Sequence, residues 1–105
     1  MHRNDVFHAL DSERFYQRRR WGFRQPDGSF LEAPHSIEEF TLYMQDYLTE
    51  AIRQLSRLPE PDARTVATDT LRKVVTLGVA CFEQHGVACR DVMIPVTNGR
   101  DGQPA

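Results

Sequence analysis

Apolar residues return at helical spacing in three blocks of this chain, separated by turn-forming stretches. The clearest block opens at Ser36. Ile37, Phe40, Met44, Tyr47, Leu48, Ala51 and Leu55 recur every three or four positions and so share one face of a helix. Ser36 with Glu39 is a capping-box signature: the hydroxyl accepts a backbone N–H and the carboxylate reaches back to the cap. This helix is predicted to run to about Arg57, before Pro59 and Pro61 break it. The next block predicts a helix from about Asp62 to about His85, with a stripe of Leu71, Val74, Val75, Gly78, Cys81 and Phe82. Gly86 is its natural stop. Gly78 within the stripe predicts a close approach by a neighbouring backbone.

The first block is less regular. Asn4 or Asp5 is the expected cap of a helix to about Arg20, with Val6, Phe7, Leu10, Phe15 and Tyr16 as its apolar positions. From Trp21 to His35 the chain reads as a connection, with a turn signal at Gln25-Pro26-Asp27-Gly28. A short hairpin across that turn, residues 22–25 against 29–32, is compatible with it, but the runs are short. Beyond Gly86, the apolar run Val92-Met93-Ile94-Pro95-Val96 is expected to lie across a neighbouring element, and 98–105 to be a flexible tail.

Three helices, the last two long and joined by a short Pro-containing link, predict an all-α fold: a helical hairpin preceded by an N-terminal helix, in one domain over residues 1–97. Two long helices expose more apolar surface than one hairpin can bury. A four-helix-type bundle completed by dimerisation is therefore expected, with a homodimer or higher homo-oligomer as the assembly. A length of 105 residues agrees with a single domain that oligomerisation would help.

Composition narrows the partners. The net charge of -2 gives no global pull towards nucleic acid or an anionic membrane, and neither is expected as a partner. No apolar run reaches the roughly 18 residues of a spanning helix, and the first residues lack the apolar core of an export signal. Cys81 reads as a buried free thiol, and with Cys89 it makes no metal-binding spacing. A cytoplasmic location is the expectation that follows.

Two charge constellations could carry chemistry. Glu39, Tyr43, Asp46 and Glu50 follow one flank of the Ser36 helix beside its apolar face. Carboxylates in a row can hold Mg²⁺, which takes oxygen ligands and completes its shell with substrate phosphate. Glu39 and Glu50 are too far apart to share an ion, so a partner helix must contribute; Asp69 is the candidate. A solvated helix face has the same appearance. The second constellation is basic: Arg14, Arg18, Arg19, Arg20 and Arg24 surround the end of the first helix, and Arg72 and Lys73 lie on the third. Guanidinium groups match phosphate oxygens, and Trp21 could stack on a base. A basic helix end also simply complements the macrodipole, and Trp21 could equally anchor the core. His2, His8, His35 and His85 are scattered and make no metal pair; His85 reads as a helix-end cap.

Several segments together resemble a known group. Val6-Phe7 leading into Asp11-Ser-Glu-Arg-Phe-Tyr-Gln17 and Trp21-Gly22 resembles the opening of small phage and prophage proteins of the MazG-like group. Ser36 to Phe40 with Tyr43 to Glu50 resembles their second helix, and Leu71 to Gly86, ending Gln84-His85-Gly86, their third. The resemblance implies an all-α nucleoside triphosphate pyrophosphohydrolase-like fold, oligomeric, that cleaves a nucleoside triphosphate to monophosphate and pyrophosphate. It further implies Mg²⁺ held by a Glu-Glu-x-x-Glu element on one helix and a Glu-x-x-Asp element on the next. The chain departs from that pattern twice. Leu42 stands where the third acid of the first element would fall, and Arg72 stands at the Asp position of the second. An Arg cannot bind Mg²⁺.

Three functional readings follow. In the first, Glu39 and Glu50 are catalytic; Glu39, Asp46, Glu50 and Asp69 bind Mg²⁺; and Arg18, Trp21, Arg72 and Lys73 hold a small-molecule nucleotide. In the second, a catalytically inert member of the same fold binds a nucleotide or a protein. In the third, the bundle is an interaction module with a solvated acidic row.

Overall fold

The structure, a computed structural model, describes residues 1–91. The order of elements is α1 (Arg3–Trp21), β1 (Gly22–Arg24), β2 (Phe30–Glu32), α2 (Ile37–Arg57) and α3 (Asp62–His85). The expected helices are present. The fold is mostly helical rather than all-α, because the connection after α1 forms a two-stranded antiparallel sheet, with Gly22 opposite Glu32, Phe23 opposite Leu31 and Arg24 opposite Phe30. Its turn is closed by local hydrogen bonds. Gln25 N–H donates to the Ser29 carbonyl at 2.7 Å, Gly28 N–H to the Gln25 carbonyl at 2.9 Å, and Ser29 N–H to Asp27 Oδ1 at 2.9 Å. Gly28 takes φ +90°, which a side chain would resist. The apolar run at 92–96 and the tail at 98–105 lie outside the described residues.

The capping box closes α2 as the sequence predicts. Glu39 N–H donates to Ser36 Oγ at 3.0 Å, and Ser36 N–H donates to Glu39 Oε1 at 2.9 Å. At the far end of the hairpin, Gly86 stops α3 at φ +86°, its N–H bonded to the Phe82 carbonyl at 2.7 Å. α2 and α3 run antiparallel along each other. Gln54 faces Thr70, Tyr47 faces Lys73, and Met44 faces Gly78. The buried side chains at this seam include Ala51, Ala63 and Ala67, small enough to let the helices approach closely. Phe40, Leu77 and Ala80 form the core cluster, with Trp21, Met44, Tyr47 and Cys81 packed against it.

The expected core stripes are only partly covered. On α3, Gly78 is buried and Val74 and Cys81 are half-buried, but Leu71, Val75 and Phe82 are exposed. On α2, Phe40 and Ala51 are buried, whereas Ile37, Leu48 and Leu55 are exposed. The α2–α3 seam is centred on the alanine side of α3, one step round the helix from its most apolar stripe. Gly78 does not admit a neighbouring backbone: what its missing Cβ would meet is the Met44 Cε atom, at 3.5 Å.

α1 departs further from its expected packing. His2, not Asn4 or Asp5, caps it, with Nδ1 accepting from Asn4 N–H at 3.1 Å. Val6, Phe7, Phe15 and Tyr16 are exposed, and the buried residues are Glu13, Arg14 and Gln17. Their partners on α3 and β2 explain why. Glu13 accepts from Arg72 Nε at 2.8 Å, Gln17 Nε2 donates to Thr76 Oγ1 at 2.7 Å, and Arg14 binds both Glu32 and Glu83. Buried charge and amide groups need such partners, and α1 is seated by them.

A candidate ligand cavity walled by aromatic side chains

The end of α1, the 33–35 segment, α2 and α3 together line an open cavity of about 430 Å³. Such a volume suits a small organic ligand. Trp21, His35, Phe40, Tyr43 and Tyr47 supply aromatic walls, with Ala33 and Leu77 completing the lining. Three of these come from one helical rhythm. Phe40, Tyr43 and Tyr47 are spaced i, i+3 and i+7, so α2 turns all three to the same side. Trp21 arrives as the last residue of α1, held in place by the polar contacts one and two turns earlier in that helix.

The 33–35 wall is tied to the end of α3. His35 N–H donates to Gln84 Oε1 at 2.9 Å, and Gln84 Nε2 donates to the Ala33 carbonyl at 3.2 Å. His85 Nε2 lies 2.7 Å from the His35 carbonyl, which can only accept, so this nitrogen carries the proton. His85 thus links two segments instead of capping its own helix. The His35 ring then stands edge-on to Phe40, with centroids 5.6 Å apart, and to Tyr43, at 5.4 Å. The distinctive Gln84-His85 ending of α3 therefore builds a cavity wall.

One cation stands beside this cavity. Lys73 Nζ is 5.6 Å from the centroid of the Tyr47 ring, a cation–π distance. Arg72 faces elsewhere, bound to Glu13 at 2.8 Å and to Asp69 at 3.0 Å. The Glu13 hydrogen bond raises the Arg72 pKa above its ordinary value. For Arg14, burial opposes the charge, but hydrogen bonds from its guanidinium to Glu32 and Glu83 outweigh it and raise the pKa. Arg18 is exposed on α1. Of the four residues expected to hold a nucleotide, the structure places Trp21 in the cavity wall and Lys73 next to it, while Arg72 serves the α1–α3 contact.

The carboxylates do not gather. Glu39 is engaged by the Ser36 backbone N–H, and this bond first, then the nearby His35, holds its carboxyl below the usual value. Glu50 accepts from Arg53 and Gln54 and borders a separate depression of about 280 Å³ with Arg53 and Arg57. Asp69 pairs with Arg72, and Asp46 is exposed. Among the described residues, no group of three His, Cys, Asp or Glu side chains is placed to hold a metal ion. As placed among the described residues, these donors do not fit a Mg²⁺ site within one chain.

The sequence did not single out His35 or Tyr47 as site residues. The available signal was the aromatic spacing Phe40, Tyr43, Tyr47, which also describes a core face. No helix among the described residues is long and apolar enough to cross a membrane. No family model matches the chain, and neither a curated protein nor a solved structure matches it significantly.

Proposed function

We propose that this chain is a nucleotide-binding protein of MazG-like type, working as a homodimer, that holds its ligand without cleaving it. The observation that carries the reading is the aromatic cavity with Lys73 at Tyr47. A planar base can stack on an exposed aromatic ring, a contact that contributes roughly 1–3 kcal/mol per base. The ammonium group of Lys73 supplies a point charge for a phosphate. Binding in preference to hydrolysis is supported by the acids, since Glu39, Glu50 and Asp69 are each engaged by a neighbour. The homodimer is supported by the apolar residues that the hairpin leaves exposed.

The chain has a single tryptophan, so Trp21 fluorescence reports on the cavity directly. Titration with nucleoside mono- and triphosphates, with and without Mg²⁺, should quench that emission in a saturable way. Lys73→Gln should weaken binding of a nucleotide but not of the free nucleoside. Ligand recovered intact after incubation supports binding alone, whereas monophosphate with pyrophosphate would restore the hydrolase reading. Lack of any quenching by millimolar nucleotide would refute both.

A further inference from the structure

The last two turns of α1 and the strand after it hold a concentration of positive charge that the net charge conceals. Residues 14–26 contain five arginines and no acid, in a chain whose net charge is -2. Arg14 is engaged inside the fold by Glu32 and Glu83. Arg18, Arg19 and Arg24 are exposed, and among the described residues none of the three is paired with a carboxylate. Aromatic rings lie among these cations. Arg19 Cζ stands 5.6 Å from the centroid of the Phe15 ring, and Arg24 Cζ stands 6.0 Å from that of Phe30. The groups share one surface. Arg18, Phe15 and Arg19 fall within about 100° of arc round α1, turned away from the buried Gln17. Phe30 folds against the same helix end: a side chain at Gly22 would collide with the Phe30 ring and the Arg18 carbonyl, each 2.5 Å from its Cβ position. Phe15 is 65% exposed and Phe30 43%, so each ring keeps area open to a further planar group. Asp11, one turn before Phe15, and Asp27 at the hairpin turn mark the edges of the patch, and Glu32 is neutralised by Arg14.

We infer that this surface binds single-stranded nucleic acid, with the guanidinium groups on phosphates and bases stacked on Phe15 and Phe30. Two complementarities select that partner. Phosphates supply the negative charge that three unpaired guanidinium groups attract, whatever the net charge of the chain. Unpaired bases supply planar faces for the rings, and a duplex keeps those faces buried in its own stack. Cations at a helix end also suit the macrodipole, but that effect neither lays them over exposed rings nor explains Arg24 beyond the helix. An anionic membrane fits less well, because an interfacial helix keeps its charged and apolar faces apart, and here Phe15 and Arg19 share one. None of these residues lines the aromatic cavity, so the inference stands apart from the ligand reading above.

Fluorescence anisotropy of a labelled oligothymidylate of about 15 nucleotides, titrated with the full chain, tests this, with circular dichroism to monitor the helices. Binding should be saturable at low salt. With three phosphate contacts, the affinity should fall about twentyfold between ~50 and ~200 mM salt. Arg19→Gln combined with Arg24→Gln leaves one contact; it should reduce that salt response to about threefold and weaken low-salt binding at least ~tenfold, with helicity unchanged. Phe15→Leu keeps an apolar side chain but no ring, and should weaken binding roughly tenfold with the salt response unaltered. The same strand annealed to its complement should bind more weakly than the free strand. No anisotropy change at about 100 μM protein, full affinity in the arginine pair, or equal affinity for the duplex would each overturn the inference. So would displacement of the strand by millimolar thymidine monophosphate, which would place it in the cavity, or capture of the chain by phosphatidylserine vesicles without binding of the strand. Trp21 quenching by mononucleotide is read separately: its absence counts against the ligand reading and not against this surface.

Discussion

Gln17 of α1 and Thr76 of α3 are 59 residues apart in the chain and form a buried hydrogen bond of 2.7 Å, with the amide as donor. Both are almost fully covered, at 1% and 0% exposure. The Thr76 hydroxyl can accept because its own proton is directed at the Arg72 carbonyl, 2.8 Å away. Gln17 Oε1 has no hydrogen-bond partner among the described residues. The α1–α3 contact is thus seated on one buried hydrogen bond of the Gln17 amide, through its nitrogen.

Thr76→Val removes the acceptor and leaves the Gln17 amide buried without a partner, at an expected loss of about 1–3 kcal/mol in urea denaturation. Adding Gln17→Leu should recover most of that loss, because replacing both partners by apolar groups is close to neutral. A single variant as stable as the parent would show that this bond does not seat α1.

Gly78→Ala should stabilise the chain by about 0.5–1 kcal/mol, since alanine is the better helix former and the new Cβ would meet only the flexible end of Met44 at 3.5 Å. Thermal denaturation measures it. A fall in midpoint would mean that Met44 cannot yield there.

Glu39 links the cap of α2 to pH. Its folded pKa lies below the ordinary 4.5, mainly through the Ser36 N–H. A depressed folded value means that the unfolded chain takes up the proton first as pH falls. The stability from this group is therefore present above about 4.5 and is lost as pH drops through the lower, folded value. Comparing the parent with Glu39→Gln in denaturant at pH 7 and at pH 3 should show a smaller acid loss in the variant, whose amide can still accept from Ser36. Equal acid losses would remove Glu39 from the account.

The three helices and the ends of α2 and α3 could be read along the chain because the signals are local. Ser36 and Glu39 lie within one turn of each other, and Gly86 comes one turn after Phe82, the last apolar residue of its helix. The apolar stripes were equally legible, since periodicity is a property of one helix. What covers a stripe belongs to its neighbours, and here the sequence could not discriminate. Phe40 and Leu77 are core, while Leu48 and Phe82 have the same chemistry and stand exposed.

The candidate site divides along the same line. Trp21 and Lys73 were recognisable by residue type, as an aromatic for stacking and a cation for phosphate. Their proximity to one cavity depended on how α1 crosses α3 and on the Gln84-His85 ties to the 33–35 segment. The acidic row shows the converse: helical spacing aligned Glu39, Asp46 and Glu50 on a flank, yet alignment on one helix brings no ligand from another. Asp69, the expected contributor, turns to Arg72, three residues along its own helix.

The sequence alone therefore determined where α2 and α3 start and stop and which faces are apolar, because these depend on neighbours a few residues away. Only the tertiary structure decided that α1 docks through Glu13, Arg14 and Gln17, that the aromatics of α2 line a cavity with Trp21, and that part of each apolar stripe of the hairpin is left bare. Those outcomes depend on contacts between residues 18 to 69 positions apart, such as Arg14 with Glu32 and with Glu83, and local spacing carries no record of such pairings.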